Sequence, residues 1–100
     1  FKGIKMQFLI IAYDYDDAFE RRMEVREQHV INTKKMMESG NIVSAGALIE
    51  DDKMVGSSLF VDFATDEELD LWLEDEPYVT NRVWNMDEIQ IVPVKLLPKN

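Results

Sequence analysis

His29 is the one histidine of the chain, and it stands among charged residues at helical intervals, with Arg26 three positions and Arg22 seven positions before it. An imidazole, with a reference pKa of about 6.5, accepts and returns protons near neutrality, which no other side-chain type here does without a large perturbation. On a helix, residues three, four and seven apart share a face, so Arg22, Val25, Arg26, Thr33 and Met36 are its neighbours. The two guanidinium forks suit a carboxylate or an enolate oxygen of a ligand. On these residues alone, His29 reads first as a surface or half-buried structural histidine and only second as a base. The acidic clusters Asp14/Asp16/Asp17 and Asp51/Asp52 lack the ligand spacing of a calcium loop, and they read as a helix start and a turn.

The elements that must position these residues follow from hydrophobic pattern and punctuation. Met6 to Tyr13 is rich in β-branched and aromatic residues and reads as a strand ended by the aspartates. From Ala18 to Ser39 there is neither Pro nor Gly, and Gly40 supplies a stop. Within this long helix Phe19, Met23, Val30 and Met37 are expected to form the buried face. Ile42 to Ile49 and Val55 to Phe63 read as a hairpin joined at Asp51-Asp52-Lys53. Thr65 followed by Glu68 is a capping box that opens a second helix, with Leu69, Trp72 and Leu73 on its inner side and Pro77 as its bound. A last strand is expected from about Glu88 to Leu96, with Pro93 marking an edge or a bulge.

The order β-α-β-β-α-β is the split βαβ arrangement of an α+β ferredoxin-like sandwich, here one domain over residues 6–97. Two helices cover one face of a four-stranded sheet, yet Phe8 to Ala12 is apolar throughout, and Phe60 opposes Leu59, Val61 and Phe63 across the third strand. A second copy burying the other face in a homodimer is the simplest solution, and it would create a cleft at the join.

Composition narrows the classes of function. Twenty acidic against eleven basic residues give a formal charge of -9, and Thr65 to Glu88 holds nine acids with Arg82 as its only base. That balance disfavours a nucleic-acid backbone or an anionic membrane as partner. Cysteine is absent, so disulfides and thiolate metal sites are excluded, which fits a cytoplasmic protein. With one histidine, no dinucleotide fingerprint and no phosphate-binding glycine loop, no metal or other cofactor is expected. Phe1 to Lys5, before the methionine that opens the first strand, read as an added remnant or an N-terminal extension.

The string Arg22-Met-Glu-Val-Arg26-Glu-Gln-His29 resembles the R-x-x-x-R-x-x-H signature of the YciI-like family, and three more segments match in order. These are Ala45-Gly46-Ala47-Leu48, Val55-Gly56-Ser57, and Trp72 through Glu76-Pro77-Tyr78-Val79, similar to the family's A-G-P-L, glycine-serine and W-x-x-x-D-P-Y-V segments. The resemblance implies a dimeric α/β barrel with a histidine and an acidic residue facing a pocket beside the interface. It places His29 and Glu76 in those two roles, with Ser57 and Gly46 lining the pocket. Glu76 stands where aspartate is usual, so Asp75 is the alternative acid; Arg82 stands where Gly is frequent and Ala47 where Pro is.

The resemblance also implies a cofactor-independent lyase or isomerase-like enzyme working on a small, cyclic or oxygenated metabolite. In that reading His29 moves the proton, Glu76 or Asp75 orients the ring, and Arg26 with Arg22 helps hold an anionic group. Two alternatives stay open: a non-catalytic ligand-binding module with the same cleft, and a cofactor-free monooxygenase.

Overall fold

The computed structural model describes residues 6–98, so the reading of residues 1–5 lies outside it. Strand β1 (Met6–Tyr13) is followed by helix α1 (Phe19–Ser39), then by β2 (Ile42–Glu50) and β3 (Lys53–Phe63). Helix α2 (Asp66–Asp75), a single turn α3 (Pro77–Thr80) and strand β4 (Gln90–Pro93) complete the order. The four strands form one sheet in the order β2-β3-β1-β4, antiparallel at every join. This is the α+β ferredoxin-like fold.

Alternation sorts the strands into two faces. Opposite pairs Ile10↔Leu59 and Phe8↔Val61 point toward the helices, and Ile10, Leu59 and Val61 are fully buried there with Ala12, Ile42 and Phe63. Leu9↔Phe60 and Ile11↔Ser58 point the other way and are only half-buried. The β2–β3 hairpin closes through Asp51 and Asp52, both with positive φ, between the paired Glu50 and Lys53. Two such residues make the turn whose twist matches the strands, and aspartate tolerates that conformation better than most. Gly56 is required where β1 and β3 approach, since a Cβ there would lie 2.6 Å from the Ala12 carbonyl oxygen.

Three expectations are corrected. Helix α1 does not bury Phe19, Met23 and Met37, which are exposed, with Val30 half-buried. Its inner face carries Arg22, His29 and Thr33 with half-buried Val25 and Met36, the face defined by spacing from His29. The aspartates do not cap α1: its N-cap is Ala18, without a side-chain cap. Asp17 instead accepts from Arg21, and Asp14 turns inward. The last strand is shorter than expected; Pro93 still pairs with Phe8, at the sheet edge where a missing N–H is tolerated.

Helix α2 follows its pattern. Thr65 Oγ1 accepts from Glu68 N–H, and Leu69 and Leu73 are buried with Trp72 half-buried behind them. Glu76, pushed to an extended conformation by the following proline, ends α2. No described helix is long and apolar enough to cross a membrane.

Candidate functional site

One residue pair, Glu76 and Pro77, explains how the centre is built. Pro77 occupies the first position of α3, where its missing N–H costs nothing, and the Glu76 carboxylate caps that turn by accepting from Tyr78 N–H at 3.1 Å. The cap fixes the carboxylate against α1, where His29 Nδ1–H donates to Glu76 Oε1 at 2.5 Å. Glu76 is 1% exposed and His29 9%. A charge-assisted bond between groups this buried is short and strongly orienting.

Tyr78, two residues on, lies flat against the imidazole with ring centroids 3.9 Å apart and planes 13° apart. The Arg22 guanidinium sits 4.7 Å from the same tyrosine ring on α1's preceding turns, and Trp84 meets His29 edge-on. Burial raises the Tyr78 phenol above its ordinary value, against the opposing pull of Arg22 and Arg26, so the ring stays neutral at ordinary pH.

Arg22 itself is sequestered. Its Nη1 donates to both Asp14 carboxylate oxygens at 3.0 Å, and its Nη2 donates to Ser57 Oγ at 3.1 Å. Burial raises the Asp14 carboxyl above its ordinary value, and the Arg22 charge and hydrogen bond offset this only in part. Ser57 Oγ also accepts from Trp84 Nε1 at 3.1 Å. With both lone pairs taken, this hydroxyl has only its own O–H left to offer.

These groups meet at a cleft of about 210 Å³ between α1 and the β2–β3 hairpin. Arg22, Arg26, His29, Thr33, Lys34, Ser57 and Tyr78 are its polar and aromatic wall, and Ala45, Gly46 and Leu59 are among its apolar side. Gly46 borders the cleft by its backbone: it pairs with Ser58, so a Cβ there would point to the other sheet face, where it would meet nothing within 4 Å. His29 Nδ1 is held by Glu76, and Nε2, 3.5 Å from Thr33 Oγ1, is the ring nitrogen left for the cleft.

Among known families, the YCII-related domain matches residues 6–95. The chain belongs to the YCII-related family. It is 26% identical over 97 residues to protein YciI of Escherichia coli O6:H1, covering 90% of this chain and 97% of that protein. It is 30% identical over 92 residues to the xenovulene A biosynthesis cluster protein asL2 of Sarocladium schorii, covering 83% and 74%. Among solved structures it resembles the 5-chloro-2-hydroxyhydroquinone dehydrochlorinase of Burkholderia phenoliruptrix, seen in complex with 2,5-dihydroxybenzoquinone. That likeness has a TM-score of 0.77 at 19% identity, over 90% of this chain and 94% of the other, and it shows the fold.

In this YCII-related chain, His29, Arg22, Arg26, Ser57 and Gly46 share one cleft, and Glu76 reaches it through His29. Asp75 does not: it is exposed and lies on the wall of a different cleft, which Glu76 also borders. Arg26 is exposed at the cleft, whereas Arg22 is 3% exposed and held by Asp14 and Ser57. Asp14, Thr33 and Tyr78 belong to the same network without having been singled out for it. Thr33 had a signal, its place four residues after His29; Asp14 lies across a loop from Arg22, where no spacing rule reaches. Among the described residues, no group of three or more His, Asp or Glu side chains is placed to hold a metal ion.

Proposed function

We propose that this chain is a cofactor-independent enzyme of the lyase or isomerase type, in which His29 Nε2 is the general base and acid for a small, oxygenated ring compound. The observation that carries this reading is the pairing of Nδ1 with buried Glu76, which leaves the second nitrogen at the cleft. As a carboxylate, Glu76 accepts the Nδ1 proton, selects the tautomer with a lone pair on Nε2, and stabilises the imidazolium formed when that lone pair takes a proton. A substrate hydroxyl or C–H gives up the proton, and its electron pair moves into the ring. In an elimination it expels an anionic leaving group, with net loss of HX; in an isomerisation the imidazolium returns the proton to another atom. Glu76 acts through His29 and is a positioning residue in this scheme.

Size and polarity support a single ring. A cavity of about 150 Å³ accommodates benzene, and this cleft, about 210 Å³, leaves room for substituents. Ser57 supplies a forced O–H donor and Arg26 a positive charge, both suited to an oxygen that gains negative charge during the reaction. The dehydrochlorinase of similar fold carries a dihydroxyquinone, which supports the same substrate class here.

The working unit in this reading is a homodimer that covers the outer sheet face, where Leu9, Ile11 and Phe60 are half-buried and Tyr13 is exposed. Light scattering at micromolar concentration should give twice the 11.7 kDa mass of one chain; a monomer removes the barrel from the proposal. Catalysis is tested by turnover of hydroxylated quinones and halogenated hydroquinones. His29→Ala should reduce kcat about 10²–10⁴-fold, the usual contribution of a positioned acid or base. Full turnover in His29→Ala, with the fold intact by circular dichroism, would remove His29 from the chemistry, and ligand binding without turnover in wild type would leave a non-catalytic binding module.

A further inference from the structure

Glu76 stands between two clefts, and only one of them belongs to the chemistry described above. It meets the first through His29, but it is part of the wall of a second, about 430 Å³, between α1 and α2. That volume is within the range of about 300–1,000 Å³ usual for small-molecule sites. Oε1 of the carboxylate already accepts from His29 and from Tyr78 N–H. Oε2 is fully buried and has no donor among the described residues. A buried carboxylate oxygen without a donor is costly, and the cost is relieved by whatever brings an N–H or O–H to it.

The rest of that wall indicates what would do so. Phe63 and Trp72 form an aromatic pair with centroids 5.8 Å apart, and Leu71 adds apolar surface at the mouth. Glu68, Asp75 and Glu76 face Lys35, so carboxylates outnumber the basic group by three to one. Aromatic faces with an excess of carboxylates attract a cation carried on an apolar body and repel an anion.

We propose that the α1–α2 cleft is a second ligand site, for a small aromatic ammonium compound whose N–H donates to Glu76 Oε2, and that its occupation is felt at His29 through the shared carboxylate. A donor on Oε2 draws electron density from the group that holds Nδ1, so ligand and imidazole protonation are coupled and the coupling is reciprocal. The site stands on geometry independent of any turnover in the first cleft. Its failure would leave the catalytic reading untouched.

Titration calorimetry of the full chain with 2-phenylethylammonium, and with 3-phenylpropionate as the anionic counterpart, tests the site. The ammonium should bind saturably and the carboxylate about tenfold or more weakly. Leu71→Lys, at an exposed position that should not disturb folding, should weaken the ammonium by about the same factor. Ala47→Leu, whose side chain projects into the first cleft opposite Ser57, should leave binding unchanged. Saturation should also move the His29 ring resonances in the NMR spectrum. The proposal is overturned by absence of saturable binding, by equal affinity for the carboxylate, by loss of binding in Ala47→Leu but not in Leu71→Lys, or by His29 resonances that stay fixed at saturation.

Discussion

Helices α1 and α2 pack on the same sheet face by opposite rules. Helix α2 buries Leu69 and Leu73 one turn apart, places Asp66, Glu67 and Glu68 in its first turn, and is capped by Thr65. Helix α1 buries Arg22, His29 and Thr33, leaves Phe19, Met23 and Met37 exposed, and starts at Ala18 without a side-chain cap. The long helix therefore has little help from its start or its apolar stripe, although Gly40 closes its C-terminal end. Its inner face is held by directed bonds: Arg22 to Asp14 and Ser57, and His29 to Glu76. Polar groups reach a core-facing position at tolerable cost only when each finds a partner. Here the partners come from Asp14 just after β1, from β3 and from the α2–α3 junction, with Arg22 Nε the one atom of these two side chains left without a partner among the described residues, so α1 is tied to every layer of the site it helps to form. The difference separates a helix selected for packing from one selected for chemistry.

If that contrast is right, the largest loss comes from breaking a polar tie of α1. Arg22→Ala leaves Asp14 buried without its cation, and removal of one partner of a buried pair costs about 3–5 kcal/mol. Urea unfolding should show that loss as a lower midpoint; a change below about 1 kcal/mol would mean that α1 is held by something other than this pair.

The corresponding cut in α2 is apolar. Leu73→Ala should cost about 2 kcal/mol, the low end of the range for a leucine truncated in a core, because Leu73 is 8% exposed at a helix that can shift into the space. A smaller effect follows at the end of the same helix. Thr65→Ala removes the hydroxyl that accepts from Glu68 N–H, for about 1 kcal/mol. Thermal unfolding of the two variants should rank them in that order, and a reversed order would show that α2 depends on its cap more than on its packing.

The same contrast sets how far the sequence could be read. For α2, pattern and packing agree, and Thr65, Glu68, Leu69 and Leu73 announced both its start and its inner face. Strand β1 was as plain, its apolar run ended by charge. For α1 the apolar residues pointed to one face and the structure buries another, because hydrophobic periodicity registers transfer from water and is blind to hydrogen bonds made with distant elements. The inner face was still visible from another starting point, the helical spacing of Arg22, Val25, Thr33 and Met36 around His29. Glu76 lies 47 residues from its partner, and only the resemblance of the Pro77-Tyr78-Val79 segment brought it forward. Asp14 reads in the sequence as part of a helix start, since an aspartate before a helix ordinarily caps it. The single-turn α3 was hidden in what read as a bounding proline.

Asp14 gives the smallest effect and the most direct view of how α1's polar face is balanced. Its carboxyl is raised from an ordinary value of 3.8, first because burial penalises the charged form, with Arg22 pulling the other way. An acid raised in the folded state holds its proton there after the unfolded chain has lost it. Between the two values the native protein binds more protons, so stability falls as pH rises through that window. The contribution is fully present below the unfolded value and is lost once pH passes the folded one. In Asp14→Asn this proton is not available to lose, while an amide oxygen still accepts from Arg22. The stability of wild type relative to Asp14→Asn, followed by urea unfolding at steps of pH upward from 3.8, should therefore move against wild type and then level off. If wild type instead gains on the variant as pH rises, the attraction of Arg22 exceeds the burial penalty, and the polar face of α1 stabilises the fold outright.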